Sequence, residues 1–192
     1  MAEPTRSLEG SSPRGETGPH LDPRPGGSRA SAPPRYVALG LGIAALVIVI
    51  DQATKWWLLQ TMQQNDGRFI DITDFFDIVL VRNRGVSFGM FNNDAGLNGV
   101  LFSLLAAVIV VVLLVWLRRA TSSFIAMAIG LVIGGALGNV VDRLRLGSVV
   151  DFLDFHLGIW HFPAFNVADS AICVGVALMV IDGLLTRRET SI

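Results

Sequence analysis

Residues 124–141 read FIAMAIGLVIGGALGNVV and run straight into Asp142-Arg143. At about 1.5 Å of rise per residue, this uncharged stretch approaches the ~30 Å hydrocarbon thickness of a bilayer, so it is expected to cross one as an α-helix. Three further stretches have the same character: Tyr36–Leu59, Leu97–Leu117 and Phe165–Leu185. The fold class expected is therefore a membrane all-α bundle of four transmembrane helices. Arginines gather ahead of the first span, at Arg118-Arg119 between the second and third, and at Arg187-Arg188 after the fourth. The positive-inside rule then puts both termini in the cytoplasm. The end of helix one, the start of helix two, the end of helix three and the start of helix four fall on the outer side.

Composition agrees with a bilayer protein. The chain is 52% hydrophobic and only 16% charged, outside the range of a soluble domain. A net charge of −1 hides local asymmetry, because Arg6, Arg14, Arg24, Arg29 and Arg35 all precede the first apolar run. Residues 1–35 hold seven of the eight prolines and almost no large apolar side chains, which predicts a disordered cytoplasmic tail. The polar stretch is too long, and a small-residue cleavage pattern too clearly missing, for the first helix to be a removable signal peptide. Residues 36–188 then form the transmembrane domain, and 189–192 a short cytoplasmic end. The single cysteine, Cys173, is expected to be a small buried apolar residue of helix four.

Between the first two helices, Arg68–Phe91 carries β-branched and aromatic residues in near alternation, punctuated by Gly85 and Gly89. This predicts a small β-sheet resting on the outer membrane face. Asn92–Gly96 either starts helix two or forms a short interfacial helix before it.

Ionisable residues inside membrane spans are rare and expensive, so each is a functional candidate. Asp51 lies about 22 Å along helix one from Tyr36, and Lys55 follows at i+4 on the same face. Lys55 is expected either to pair with a carboxylate or to snorkel beside the interfacial Trp56 and Trp57. Helix three ends in Gly138-Asn139-Val140-Val141-Asp142-Arg143, where Arg143 is expected to keep Asp142 ionised. Val149-Val150-Asp151-Phe152 surrounds Asp151 with apolar residues, and desolvation there raises a carboxyl pKa. Phe165-Asn166-Val167-Ala168-Asp169-Ser170 opens helix four, with Asn166 as a candidate cap and Asp169 about one turn inside.

Two carboxyls close enough to share a proton are the core of aspartic-protease chemistry: one activates water while the other polarises the scissile carbonyl. Asp151 and Asp169, with no cation adjacent in sequence, are the expected dyad; their titration belongs to the pair and either can carry the proton. Asp142 is the rival member, and Asp154 reads as a loop anchor. There is no zinc-binding His-Glu-x-x-His, nucleophile elbow or phosphate-binding loop, so neither metal nor cofactor is expected. His156 and His161 read as interfacial polar residues, and His20 sits in the tail. A transporter would place its polar groups near the midplane of repeated, interrupted helices, whereas these gather at one face. A non-enzymatic scaffold leaves that clustering without a reason.

Five segments together resemble the lipoprotein signal peptidase (signal peptidase II) family: Asp51-Gln52-Ala53-Thr54-Lys55, Val81-Arg82-Asn83-Arg84-Gly85-Val86-Ser87-Phe88-Gly89, Gly138-Asn139-x-x-Asp142-Arg143, Val149-Val150-Asp151-Phe152 and Phe165–Ser170. They occur in the family's order across about Tyr36 to Leu185. The resemblance implies an aspartic endopeptidase of the inner membrane that cleaves prolipoproteins before a diacylglyceryl-modified cysteine, with Asp151 and Asp169 catalytic. It also implies supporting or substrate-binding roles for Asp51, Lys55, Asn83, Gly85, Asn139, Asp142, Arg143 and Asn166. The partners expected are prolipoprotein substrates and membrane lipid, not nucleic acid, and the chain is expected to act as a monomer. Phe88 and Phe91 are expected to help the outer β-element close over substrate.

Overall fold

The computed structural model describes residues 34–64, 69–85 and 95–189. Its elements in chain order are α1 (Pro34–Gln64), β1 (Ile70–Thr73), β2 (Phe76–Asn83), α2 (Ala95–Leu117), α3 (Ser123–Leu146), β3 (Val149–Leu157), β4 (Trp160–His161) and α4 (Val167–Glu189). All four helices are long and apolar enough to cross a membrane, and the protein is a multi-pass membrane protein. The expected tail up to Pro33, the Phe88 and Phe91 loop, Asn92 to Asp94 and the last three residues lie outside the described residues.

Helix α3 is the centre of the bundle. It packs against α1, α2 and α4 and buries most of its length, whereas the other three present most of theirs outward. In a bilayer the lipid tails are as apolar as leucine, so helices associate through close packing at small residues. Gly130 lies against the backbone of Gly40 on α1, and Gly135 against the carbonyl of Ala168 on α4; a Cβ at either position would collide with that backbone. The apolar core around this spine includes Ala44, Val110, Leu113, Ile129 and Ile133. Cys173, expected in the interior, is exposed on α4. The face that α4 turns to α3 is instead formed by Ala168, Gly175 and Ile172.

Ser122 caps the start of α3, accepting from the Ile125 N–H at 3.2 Å. Gly147 ends it with φ +69, a left-handed conformation that glycine adopts without penalty, and its N–H donates to the Arg143 carbonyl at 3.1 Å. The helix thus runs past Val141 to Leu146, so Asp142 and Arg143 stand on helical backbone, and the chain turns at once into β3.

The sheet is antiparallel throughout, in the order β1-β2-β3-β4. Only β1 and β2 come from the Arg68–Phe91 segment. The other half comes from the connection between α3 and α4, where the β-branched and aromatic run Val149–Phe155 pairs with β2. Asp77 lies opposite Asp154, and Asn83 opposite Val149. The sheet packs on the end of α1 through Leu58, Met62, Val150, Phe152, Ile78 and Leu153.

Candidate active site

Five elements deliver the polar residues of the site to one end of the bundle. Asp51, Gln52 and Lys55 come from α1, Asn139, Asp142 and Arg143 from α3, Asn83 from the end of β2, Asp151 from the start of β3, and Asn166 and Asp169 from the start of α4.

The innermost layer is an ion cluster. Lys55 Nζ lies 2.8 Å from Asp51 Oδ2 and 2.9 Å from Asp142 Oδ2, with all three side chains almost fully buried. Lys55 therefore pairs rather than snorkels, and it is Lys55, not the adjacent Arg143, that makes the ion pair with Asp142. The reason is helical geometry: Arg143 is turned about 100° from Asp142, and its guanidinium donates to the Asn139 carbonyl at 3.4 Å. Gln52, which sequence reasoning passed over, donates to Asp142 Oδ1 at 2.9 Å and accepts from Arg145 at 3.3 Å. Its place within the quoted Asp51–Lys55 motif was the available signal.

This cluster also grips backbone. Asp51 Oδ1 accepts from the Ala168 N–H at 3.0 Å, taking up an amide of the first turn of α4 that has no intrahelical partner. Asp142 Oδ2 accepts from the Val150 N–H at 3.1 Å. Two buried carboxylates thus anchor the segments that carry Asp169 and Asp151.

Asn166 is the hub of the outer layer. It caps α4: its Oδ1 accepts from the Asp169 N–H at 2.9 Å, while Asp169 Oδ2 accepts from the Asn166 N–H at 3.3 Å, a reciprocal capping box. Asp169 accordingly sits in the first turn of α4, nearer the helix end than the sequence suggested. The Asn166 side-chain amide donates to Asp151 Oδ1 at 2.7 Å, with Asn139 Oδ1 at 3.2 Å and the Val150 carbonyl at 3.3 Å. Asn139 in turn donates to Asp169 Oδ1 at 2.8 Å and accepts from Lys55 at 3.2 Å. Asn83 donates to Asp151 Oδ2 at 3.0 Å.

Asp151 is buried and Asp169 half-buried. Burial pushes the Asp151 carboxyl above its ordinary range, and the charge of Asp169 adds to the rise; hydrogen bonds from Asn83 and Asn166 and the charge of Lys55 oppose it. Arg143 stands within electrostatic reach of Asp169, Asp151 and Asp142, and its guanidinium lies 5.7 Å from the centre of the Phe102 ring. Gly85, at φ +92, donates its N–H to Asn83 Oδ1 at 2.8 Å. A Cβ there would strike Phe102, so glycine lets the backbone at position 85 approach α2 closely.

A groove of about 290 Å³ leads from these groups into the apolar part of the bundle, with Phe102, Ala106 and Ile109 of α2 on one side and Asp169 and Ile172 of α4 on the other. Asp154 and the two histidines stand apart from it. His161 Nδ1 is 2.8 Å from Asp154 Oδ2, His156 Nε2 is 3.2 Å from Asp77 Oδ2, and the two imidazoles stack at 4.9 Å. Asp154 thus ties β3 to β4; the partnership depended on a hairpin register that no local pattern announces. Among the described residues, no three His, Cys, Asp or Glu side chains are arranged to hold a metal ion.

Over residues 43–185 the sequence matches the family described as signal peptidase (SPase) II. A protein of Burkholderia vietnamiensis named lipoprotein signal peptidase is 46% identical over 151 residues, covering 78% of this chain and 90% of its own length. One of the same name from Shewanella loihica is 44% identical over 149 residues, covering 77% and 86%. Among solved structures, a bacterial membrane enzyme at 2.3 Å resolution superposes with a TM-score of 0.67 and 31% identity, over 81% of this chain and 92% of that one.

Proposed function

The chain belongs to the signal peptidase II family, and we propose that it removes signal peptides from prolipoproteins by aspartic chemistry, with Asp151 and Asp169 as the catalytic pair. The observation that carries the assignment is the joint hold of Asn166 on both carboxyls, through its side-chain amide on Asp151 and its backbone amide on Asp169. Asp142, the rival, has its oxygens taken by Lys55, Gln52 and the Val150 amide, which supports a structural role for it.

In this mechanism the pair carries one proton. The ionised carboxylate takes a proton from a water molecule as its oxygen attacks the scissile carbonyl carbon, and the protonated carboxyl donates to the carbonyl oxygen. The tetrahedral intermediate collapses as the leaving nitrogen takes up a proton, giving the signal peptide's new carboxylate and a free amino group on the lipidated cysteine. The rise in the Asp151 pKa favours Asp151 as the proton holder. Asn139 and Asn83 orient the carboxyls, and Arg143, beside the groove, is placed to bind substrate backbone.

The groove between α2 and α4 accommodates the end of the signal-peptide helix, while the diacylglyceryl chains remain in the bilayer. Arginine placement supports both termini in the cytoplasm and the dyad at the outer face of an inner membrane. The chain acts as a monomer on this reading.

The test is cleavage by the purified full chain, in lipid, of a prolipoprotein peptide with and without diacylglyceryl on its cysteine. Cleavage immediately before the modified cysteine, with the unmodified peptide left intact, is expected. A folded protein that cleaves neither contradicts the reading.

A further inference from the structure

The β3–β4 hairpin carries an apolar surface that the peptidase site does not use. Phe75, Phe155, Leu157, Trp160 and Phe162 are all exposed, and with Phe165 they line an open cradle of about 450 Å³. At the tip, Ile159 is fully exposed. The only titratable residues from 155 to 162 are His156 and His161, each beside an aspartate. An apolar patch of this kind marks an interaction surface.

Its depth identifies what covers it. Trp56 and Trp57 project outward near the end of α1, where aromatic residues mark the membrane–water interface. The sheet packs on Leu58 and Met62, roughly 2–9 Å further along the same axis at 1.5 Å per residue. The headgroup region is itself about 5–8 Å thick on each side of the hydrocarbon. The sheet is thus held at interfacial depth, not lifted into bulk water. Phe165 makes the cradle continuous with the membrane-spanning surface, because it is bridged to Leu153 of β3 and lies two residues before α4.

We propose that this cradle is a bilayer-docking surface, its apolar side chains buried in lipid at the headgroup–acyl boundary of the leaflet on the sheet's side, which holds the β3–β4 hairpin against the membrane. The hairpin is then an interfacial anchor outside the helices. Since β3 begins at Val149 and carries Asp151, the bilayer steadies the strand on which that residue stands.

The experiment uses the full chain in phosphatidylcholine vesicles with brominated acyl chains, after Trp56, Trp57 and Trp116 are replaced by Phe so that Trp160 is the sole tryptophan. The expected result is loss of most Trp160 emission relative to unbrominated lipid, with little quenching by aqueous iodide. Quenching by iodide and not by bromine would overturn the proposal, as would protection from both in a self-associated protein, which would put a second copy over the cradle. Should the triple variant misfold, Ile159→Cys in a Cys173→Ser background, spin-labelled at position 159, gives an independent answer. Collisions with oxygen exceeding those with a water-soluble nickel complex support docking; the reverse overturns it. Neither readout requires peptidase activity, so each stands apart from the catalytic assignment.

Discussion

Asp142 of α3 and Val150 of β3 are joined by a hydrogen bond from the Val150 backbone N–H to Asp142 Oδ2 at 3.1 Å. The carbonyl of the same valine faces the Asn166 side-chain amide at 3.3 Å. The residue before Asp151 is therefore held from α3 on one side and from α4 on the other, and the dyad's geometry depends on the ion cluster beneath it.

That dependence predicts the effect of Lys55→Met. The substitution keeps the length of the stem but leaves Asp51 and Asp142 buried without their shared cation. Removing one partner of a buried ion pair costs about 3–5 kcal/mol. Unfolding in detergent should show a lowered midpoint of that order; an unchanged midpoint would contradict the cluster's structural role.

The tightest helix contact gives a second prediction. Gly135→Ala puts a methyl group into the carbonyl of Ala168, one residue before Asp169. Overpacking of this kind costs about 1–3 kcal/mol, and here it also displaces the start of α4, so both stability and turnover should fall. Gly42→Ala, whose Cβ would meet nothing within 4 Å, is the control: it should be no less stable than the wild type, alanine being the better helix former, and should match it in cleavage.

The four spans were legible because hydropathy over a bilayer's thickness is a one-dimensional signal. The polar positions were legible because ionisable groups stand out in apolar sequence. What linked them was not. Lys55 and Asp142 meet across the α1–α3 contact, an ion pair that sequence adjacency, which pointed to Arg143, did not reveal. The strand Val149–Leu157 could not be assigned from an apolar run too short to separate from a helix, since its pairing partner β2 lies on the far side of two spans. Asn166 was legible as a cap, but not as the bridge between two carboxyls, because that role needs β3 and α4 brought side by side.

The pH dependence of turnover should move with Asn83. Its amide stabilises the ionised form of Asp151, so removing it raises a carboxyl pKa already pushed upward by burial. If Asp151 holds the proton in the active form, activity is lost on the alkaline side as that proton leaves. Asn83→Ala should therefore shift the alkaline limb of the kcat profile to higher pH. A shift to lower pH, or none in a variant that still turns over, would argue against Asp151 as the proton holder.

Ala106 tests the groove. It faces the open space between α2 and α4, so Ala106→Trp should obstruct the signal-peptide helix. A steric conflict of about 1–3 kcal/mol corresponds to a fall in kcat/KM of roughly five- to 150-fold. Unaltered kinetics would place the substrate elsewhere.

The central claim is that Asp151 and Asp169, and not Asp142, perform the chemistry. It is tested most directly by measuring single-turnover cleavage of a diacylglyceryl-modified prolipoprotein by Asp151→Asn, Asp169→Asn and Asp142→Asn, each shown to be folded. The first two should lose at least about 10²–10⁴-fold, the range expected for removing a general acid or base, while the third keeps residual activity set by its weakened hold on Val150. An inactive Asp142→Asn beside an active Asp151→Asn would contradict the assignment and move the catalytic role to Asp142.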